Sequence, residues 1–283
     1  MNYSVIIPAY NESAFIAKTL DSLVAQTVLP VQVIVVDDNS TDSTAAIASL
    51  FAEKYSFIRV VANPSDAVHL PGSKVIRAFK KGLENLTESY DILVKLDADL
   101  ILPSNYFESV LHAFKSDEKV GMAGGFAYIE KNGQWVLESL ADKDHIRGAF
   151  KAYRNTFFDQ MGGLRTAMGW DTVDELLCRY YGWKVVTLKE LKVKHLKPTG
   201  ARYDKAARYK QGESFYTLGY GFWITVIASA KLAAKKKSVK LFFDYLRGYM
   251  KAKRAGVYML VDQDQAKFIR RYRIRKMLSK LGL

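Results

Sequence analysis

The chain has 283 residues, 49% of them hydrophobic, a single cysteine and a formal net charge of +13. Such a composition excludes a disordered polymer and leaves room for one sizeable α/β core, alone or with an appended subdomain. With Cys178 as the only thiol, an internal disulfide framework and a cysteine-built zinc site are excluded too. The charge is unevenly placed: residues 1–230 carry 26 Lys and Arg against 26 Asp and Glu, whereas residues 231–283 carry 16 against 3. A neutral body followed by a basic segment points to a separate anionic partner, a phospholipid surface or nucleic acid.

The N-terminus, MNYSVIIPAYNE, has no basic leader and too short an apolar run for a signal peptide, so the chain is expected to stay in the cytoplasm as made. It reads directly as a first strand over residues 3–7. Apolar β-type runs follow at 32–36, 57–62 and 91–96, and the segments between them carry helical spacing, as in Phe15, Ile16, Leu20, Leu23 and Val24. Strands alternating with helices predict a mainly parallel sheet with helices on its faces. Beyond residue 120 the sequence turns Gly-rich and aromatic, with a short helix predicted at 174–181 and a strand at 183–188. No Pro/Ser-rich linker, repeat or low-complexity block divides the chain.

In such sheets ligands sit outside the carboxyl ends of the strands. Pro8 to Glu12 follow the first predicted strand, Asp37-Asp38-Asn39-Ser40 the second, and Asp97-Ala98-Asp99 the fourth. Spacing alone would not single out the last of these. With 18 Asp in the chain, Asp-x-Asp should arise about once by chance, and it also occurs at Asp142-Lys143-Asp144 and Asp262-Gln263-Asp264. Those two pairs follow no comparable strand and read as surface charge. Asp97 and Asp99 instead share a sheet edge with Glu12 and Asp38.

Several runs taken together and in this order resemble the family 2 glycosyltransferases of the GT-A fold. They are VIIPAYNE at 5–12, VIVVDDNSTDST at 33–44, LVKLDADL at 93–100, GAFKAYRNTFFDQMGGL at 148–164, GWDTVDEL at 169–176 and HLKPTG at 195–200. The resemblance covers about residues 3–200. It implies a Rossmann-like nucleotide-diphospho-sugar transferase fold, a mixed but mainly parallel sheet flanked by helices. It also implies an inverting transfer of a hexosyl or related sugar from a nucleotide-diphosphate sugar to an acceptor hydroxyl, as in polysaccharide or lipid-linked glycan synthesis.

The same resemblance implies the site residues. Pro8, Tyr10 and Glu12 face the ribose and base, Asp38 the base, and Asp97 the ribose or a metal-bound water. Asp99 and His195 are the metal ligands, with a strand-end histidine hydrogen-bonded to backbone as the alternative for His195, and Lys197 is either a diphosphate contact or a surface lysine. Carboxylate oxygens suit Mg²⁺ or Mn²⁺ at a leaving diphosphate, and an imidazole favours Mn²⁺.

An inverting displacement also needs a base for the proton of the attacking hydroxyl. Candidates lie in GWDTVDEL: Asp174 first, Asp171 second, Glu175 third. This stretch departs from the family's commoner Glu-Asp before the helix, so its register stays open, and either Asp can instead cap the helix. A second departure is Lys80, where relatives often carry Asn; it leaves the sugar and the nucleotide (uridine, guanosine or thymidine) open. Glu12 and Asp37-Asp38 likewise have helix-start and turn roles as alternatives.

Residues 217–234 contain one uncharged stretch that ends at Lys231 and is too short to span a bilayer, so a core or interfacial helix is expected. The next helix places Leu241, Phe242, Tyr245, Leu246, Tyr249 and Met250 on one face, with Lys240, Arg247, Lys251, Lys253 and Arg254 largely elsewhere. It either lies on anionic lipid or packs that stripe on the core. The expected organisation is a catalytic domain at 1–216 and a basic helical region at 217–283, associated with a membrane surface or with the acceptor, peripheral on the cytoplasmic face of the inner membrane. Nucleic acid is disfavoured, because no recognition motif accompanies the charge.

Two other classes compete with the transferase reading. A nucleotidyltransferase would carry a Gly-rich phosphate loop where this chain has PAYNE. A non-catalytic lipid- or nucleic-acid-binding protein would use only the basic region. A dehydrogenase is disfavoured by the lack of Gly-x-Gly-x-x-Gly after any early strand.

Overall fold

The computed structural model describes residues 1–64, 72–138, 144–197 and 207–279. Asp142 and positions 198–200 of the HLKPTG run lie outside the described residues. The chain divides into two compact units that interleave in sequence. The first comprises Met1–Thr166 with Tyr181–Thr199, the second Ala167–Tyr180 with Gly200–Leu283.

The first unit is built on a nine-stranded sheet. Its strands are β1 (Tyr3–Ala9), β2 (Gln32–Asp37), β3 (Ile58–Ala62), β4 (Ile92–Leu96), β5 (Leu100–Ile101), β6 (Val120–Lys131), β7 (Gln134–Leu137), β8 (Phe150–Arg154) and β9 (Lys184–His195). The order is β3-β2-β1-β4-β8-β6-β9-β5, with β7 paired to β6. β3, β2, β1 and β4 run parallel, β8 is antiparallel to both β4 and β6, and β6 and β9 are parallel. The four strands read from the sequence are β1 to β4. Ile6, Ile7, Val33 to Val36, Leu93 and Val94 are fully buried, as near-continuous apolar runs in a sheet covered on both faces should be. The helices of this unit are α1 (Ile16–Val24), α2 (Thr44–Lys54), α3 (Ser73–Leu83), α4 (Tyr106–Ser116) and α5 (Asn155–Gln160).

The strand expected at 183–188 continues to His195, because it pairs with β6 along its length and then with β5. That extension carries His195 to the edge where the carboxylates collect.

The second unit consists of α6 (Trp170–Tyr180), α7 (Ala207–Thr217), α8 (Gly221–Lys235), α9 (Val239–Arg254) and α10 (Gln263–Ser279). The helix expected at 174–181 begins four residues earlier. Gly169 has φ +87°, and its carbonyl accepts from the N–H groups of Thr172 and Val173, both at 3.0 Å, so the first turn starts ahead of Asp171 and encloses it. Asp174 is therefore inside the helix and does not cap it.

On α9, the expected apolar stripe divides. Tyr245 and Tyr249 are buried, while Leu241, Phe242, Leu246 and Met250 are half-buried. α7 and α9 approach backbone to backbone: a Cβ on Gly212 would lie 1.9 Å from the Tyr245 carbonyl oxygen, and one on Gly248 2.1 Å from that of Tyr209. Only glycine permits that approach.

Candidate active site at the carboxyl edge of the first unit

The loop after β1 and the loop after β2 are tied together. Asn11 and Asn39 take left-handed backbone, φ 53° and 62°, which Asn tolerates better than most residues. The Asn11 N–H donates to Ser40 Oγ at 3.0 Å, and the Thr41 N–H donates to Asn11 Oδ1 at 2.8 Å. The Glu12 N–H donates to Thr44 Oγ1 at 2.8 Å. Ser40 and Thr41 thus hold the first loop, and Asp42 Oδ1 accepts from the N–H of Thr44 at 3.0 Å at the start of α2.

Asp38 follows directly, its N–H donating to the Ala9 carbonyl at 2.8 Å. Its buried carboxylate accepts from Asn63 Nδ2 at 2.6 Å through Oδ1 and lies 3.6 Å from Lys74 Nζ through Oδ2. The same ammonium stands 4.1 Å above the ring of Tyr10, which is 38% exposed. Tyr10 and Asp38 are thereby brought together around one cation, with Pro8 buried just before them in β1.

The Asp97-Ala98-Asp99 turn is clamped from α1. The Thr19 hydroxyl donates to the Ala98 carbonyl at 2.8 Å and accepts from the Leu100 N–H at 3.0 Å, while the Asp97 N–H donates to the Ala149 carbonyl at 2.7 Å. Leu100 pairs with His195 in the antiparallel β5–β9 ladder, and the Leu196 N–H donates to the Asp99 carbonyl at 2.9 Å. This register places His195 Nε2 3.3 Å from Asp99 Oδ2, both side chains buried. Asp97 Oδ1 accepts from Lys95 Nζ, and Glu12 Oε1 accepts from Lys197 Nζ at 2.6 Å.

Charge is crowded at this edge. Burial, together with the charges of Asp99 and Asp97, raises the Glu12 pKa against the opposing pull of Lys197. Burial and Asp99 likewise raise Asp97, with Lys95 opposing. Burial alone would lower His195, but the hydrogen bond and charge of Asp99, with Asp97 and Glu138 behind it, raise it above the ordinary imidazole value. Among the described residues, the buried polar atoms without a hydrogen-bond partner include His195 Nδ1 and Glu12 Oε2.

A cation fits this donor set: it would offset carboxylates that repel one another and replace the proton between Asp99 and His195. Among the described residues no three such side chains are arranged to hold a metal by themselves. Asp99 and His195 would supply two donors, and a substrate's phosphates and water would complete the shell in the usual Mg²⁺ or Mn²⁺ manner.

Sequence reasoning missed four neighbours. Thr19, the turn clamp, carries no distinctive signal. Lys74 is hidden in a helical pattern. Lys95 does have a signal, a cation in an otherwise apolar strand. It lies opposite Lys151 in the β4–β8 ladder, and both are buried. Glu138, paired with Arg147 and acting on His195, lies near the end of a hairpin that the sequence did not resolve.

Asp171, Asp174 and Glu175 belong to α6 in the second unit. Asp171 lies in the first turn, where the helix dipole favours a carboxylate. Asp174 and Glu175 are buried; Asp174 Oδ1 accepts from the Glu175 N–H at 2.6 Å, and Glu175 Oε2 lies 3.8 Å from Arg179. Burial raises the Tyr220 hydroxyl pKa against the nearby Arg273, with Asp171 and Glu175 adding to the rise.

Of the two remaining Asp-x-Asp pairs, the one at Asp142 and Asp144 lies partly outside the described residues, and the one at Asp262 and Asp264 behaves as ordinary charge. Asp262 Oδ1 accepts from the Gln265 N–H at 2.8 Å while Gln265 Oε1 accepts from the Asp262 N–H at 3.1 Å, a capping box at the start of α10. Asp264 pairs with Lys267 at 3.0 Å on the exposed face.

Residues 4–167 match the sequence profile of glycosyl transferase family 2. The chain belongs to that family. It is 28% identical over 205 residues to the probable glycosyltransferase YdaM of Bacillus subtilis, covering 63% of this chain and 46% of YdaM. It spans less than half the length of the first curated relatives it matches. Among solved structures, the mannosyltransferase PcManGT of Pyrobaculum calidifontis, in complex with GDP-Man and Mn²⁺, aligns with TM-score 0.55 at 20% identity over 89% of this chain and 69% of that one. S. aureus TarS 1–349 in complex with UDP-GlcNAc aligns with TM-score 0.57 at 18% identity over 89% and 73%. The fold is GT-A, a mixed sheet with a parallel core flanked by helices, as the family resemblance implied.

Proposed function

We propose that the chain transfers a sugar, with inversion, from a nucleotide-diphosphate donor to an acceptor hydroxyl in the synthesis of a surface polysaccharide or a lipid-linked glycan. The observation that carries this reading is the buried Asp99–His195 pair, 3.3 Å apart at the carboxyl end of β4. It lies on the same sheet edge as the Tyr10–Asp38 pair. Family membership and neighbours crystallised with GDP-Man or UDP-GlcNAc support a sugar-nucleotide donor.

In this reading Tyr10 offers its exposed ring to the base and Asp38 accepts from a base N–H, while Pro8 and Glu12 shape the ribose side. Asp97 accepts from the ribose or from bound water. Asp99 and His195 would hold Mn²⁺ or Mg²⁺, which supplies charge neutralisation at the departing diphosphate. Asp174, with Asp171 and Glu175 as alternates, takes the proton of the attacking hydroxyl. Segment 1–216 carries the transfer chemistry, and the basic segment 217–283 meets the acceptor or an anionic membrane, placing the enzyme peripherally on the cytoplasmic face. Among the described residues no helix is long and apolar enough to cross a membrane.

The test is a panel of UDP-, GDP- and dTDP-sugars, each with Mn²⁺ or Mg²⁺, read as thermal stabilisation and as nucleoside-diphosphate release. One donor should raise Tm only when metal is present. No stabilisation by any donor under either metal would sink the reading.

A further inference from the structure

Among the described residues, the second unit exposes an apolar and cationic face. On α8 the exposed positions Trp223, Ile227, Ala230 and Ala234 fall at i, i+4, i+7 and i+11, one stripe along the helix. Trp223 is 77% exposed. Its ring packs edge-to-face on Phe222 at 5.5 Å, and Phe222 in turn borders an open groove of about 780 Å³ between α8 and α9. Phe243, Leu246 and Met250 line the groove together with Arg247, Lys251 and Arg254. Residues 221–260 hold nine Lys and Arg and a single acidic residue, Asp244, which is buried.

We infer that this α8–α9 face is a membrane-docking surface, with Trp223, Ile227 and Phe243 entering the headgroup boundary of an anionic bilayer and Arg247, Lys251 and Arg254 meeting lipid phosphates. The inference rests on the reading of a membrane-peripheral enzyme and names the surface that does the docking. α8 has 15 residues, too short to span, so it lies in the interface. Charge chooses the occupant. Two copies of this face would set cation against cation, and a nucleic-acid backbone has no use for an exposed Trp-Ile-Ala stripe. An anionic phospholipid surface matches both the apolar stripe and the cationic side chains.

The test is flotation of the full chain with phosphatidylcholine vesicles, neutral or containing about one third phosphatidylglycerol. Binding should be at least tenfold tighter, on the order of 1.4 kcal/mol, to the anionic vesicles, and should weaken in roughly 1 M salt, where charges are screened within about 3 Å. Trp223→Ser with Phe243→Ser, and separately Arg247→Glu with Arg254→Glu, should each abolish flotation while circular dichroism and donor-induced thermal stabilisation stay at wild-type values. Equal binding to neutral vesicles, no binding, or full binding by both variants overturns the proposal. So does self-association that the Trp223→Ser/Phe243→Ser variant removes while wild type fails to float, or flotation displaced by an equal charge of RNA. Flotation is read without donor and donor turnover without vesicles, so failure of the docking surface is distinguishable from failure of the transferase reading.

Discussion

His195 Nε2 lies 3.3 Å from Asp99 Oδ2, although 96 positions separate the two residues in sequence. The β5–β9 ladder creates the meeting by pairing Leu100 with His195 and placing Asp99 one residue before the pair. If the two are metal ligands, each should matter to metal more than to folding. Asp99→Asn and His195→Gln should each lower metal-dependent turnover by about 100-fold or more, since a Lewis acid contributes several kcal/mol of transition-state stabilisation. His195→Gln should also shift preference from Mn²⁺ toward Mg²⁺, because the imidazole is the donor that favours Mn²⁺. Turnover with each metal at matched donor saturation reads both effects.

The pH dependence follows from the same crowding. His195 has a raised pKa in the folded, metal-free protein, so the stability it contributes is full below the unfolded imidazole value and is lost as pH rises through the folded one. Glu12 and Asp97, also raised, destabilise the fold as they ionise above the ordinary carboxylate range. The three effects share a direction: without metal, Tm should fall as pH rises above the ordinary imidazole value. Mn²⁺ needs the deprotonated donors, so the Tm gain from Mn²⁺ should be larger at pH 8 than at pH 6. His195→Gln should flatten both trends in a thermal-shift series.

Thr19 positions the Asp97–Asp99 turn without offering a charge. Thr19→Val removes a buried hydroxyl that serves both the Ala98 carbonyl and the Leu100 N–H. Leaving those groups unpaired should cost about 1–3 kcal/mol of stability and weaken Mn²⁺ affinity as the turn loosens. Denaturant unfolding and a metal titration on the same variant separate the two effects.

Asp38 tests the nucleotide end. Its carboxylate now holds Asn63 and faces Lys74. Asp38→Ala should weaken binding of the preferred nucleoside diphosphate by about 10–100-fold, the range of a hydrogen bond to a charged group, with little change in turnover at saturation. A fall in turnover with unchanged binding would move Asp38 out of the base pocket.

In the second unit, Gly248→Ala drives a methyl group against the Tyr209 carbonyl. Overpacking of this kind costs about 1–3 kcal/mol and should lower the midpoint of unfolding followed through the helical signal.

The sequence announces its parallel strands because each is a short apolar run between polar loops, and a ligand edge follows from that alternation. Asp97, Asp99, Glu12 and Asp38 were legible because each directly follows one of those runs. Long-range register was not. The length of β9 depends on pairing with β6 and β5, and the start of α6 depends on a glycine in left-handed backbone, neither of which local propensity encodes. The neighbours that hold the site, Thr19, Lys74 and Glu138, escaped for the same reason: each acts across 25 or more residues, on the Ala98 carbonyl, on Asp38 and on His195.

The central claim is that Asp99 and His195 hold a divalent cation at a leaving nucleoside diphosphate. It is tested most directly by following nucleoside-diphosphate release from the preferred sugar nucleotide during a Mn²⁺ titration of chelator-treated wild type and Asp99→Asn. Wild type should release nothing without metal and be restored saturably by Mn²⁺, while Asp99→Asn should stay folded but not be restored. Full release by the chelator-treated wild type, or restoration of Asp99→Asn at the same Mn²⁺ concentration as wild type, would contradict the claim.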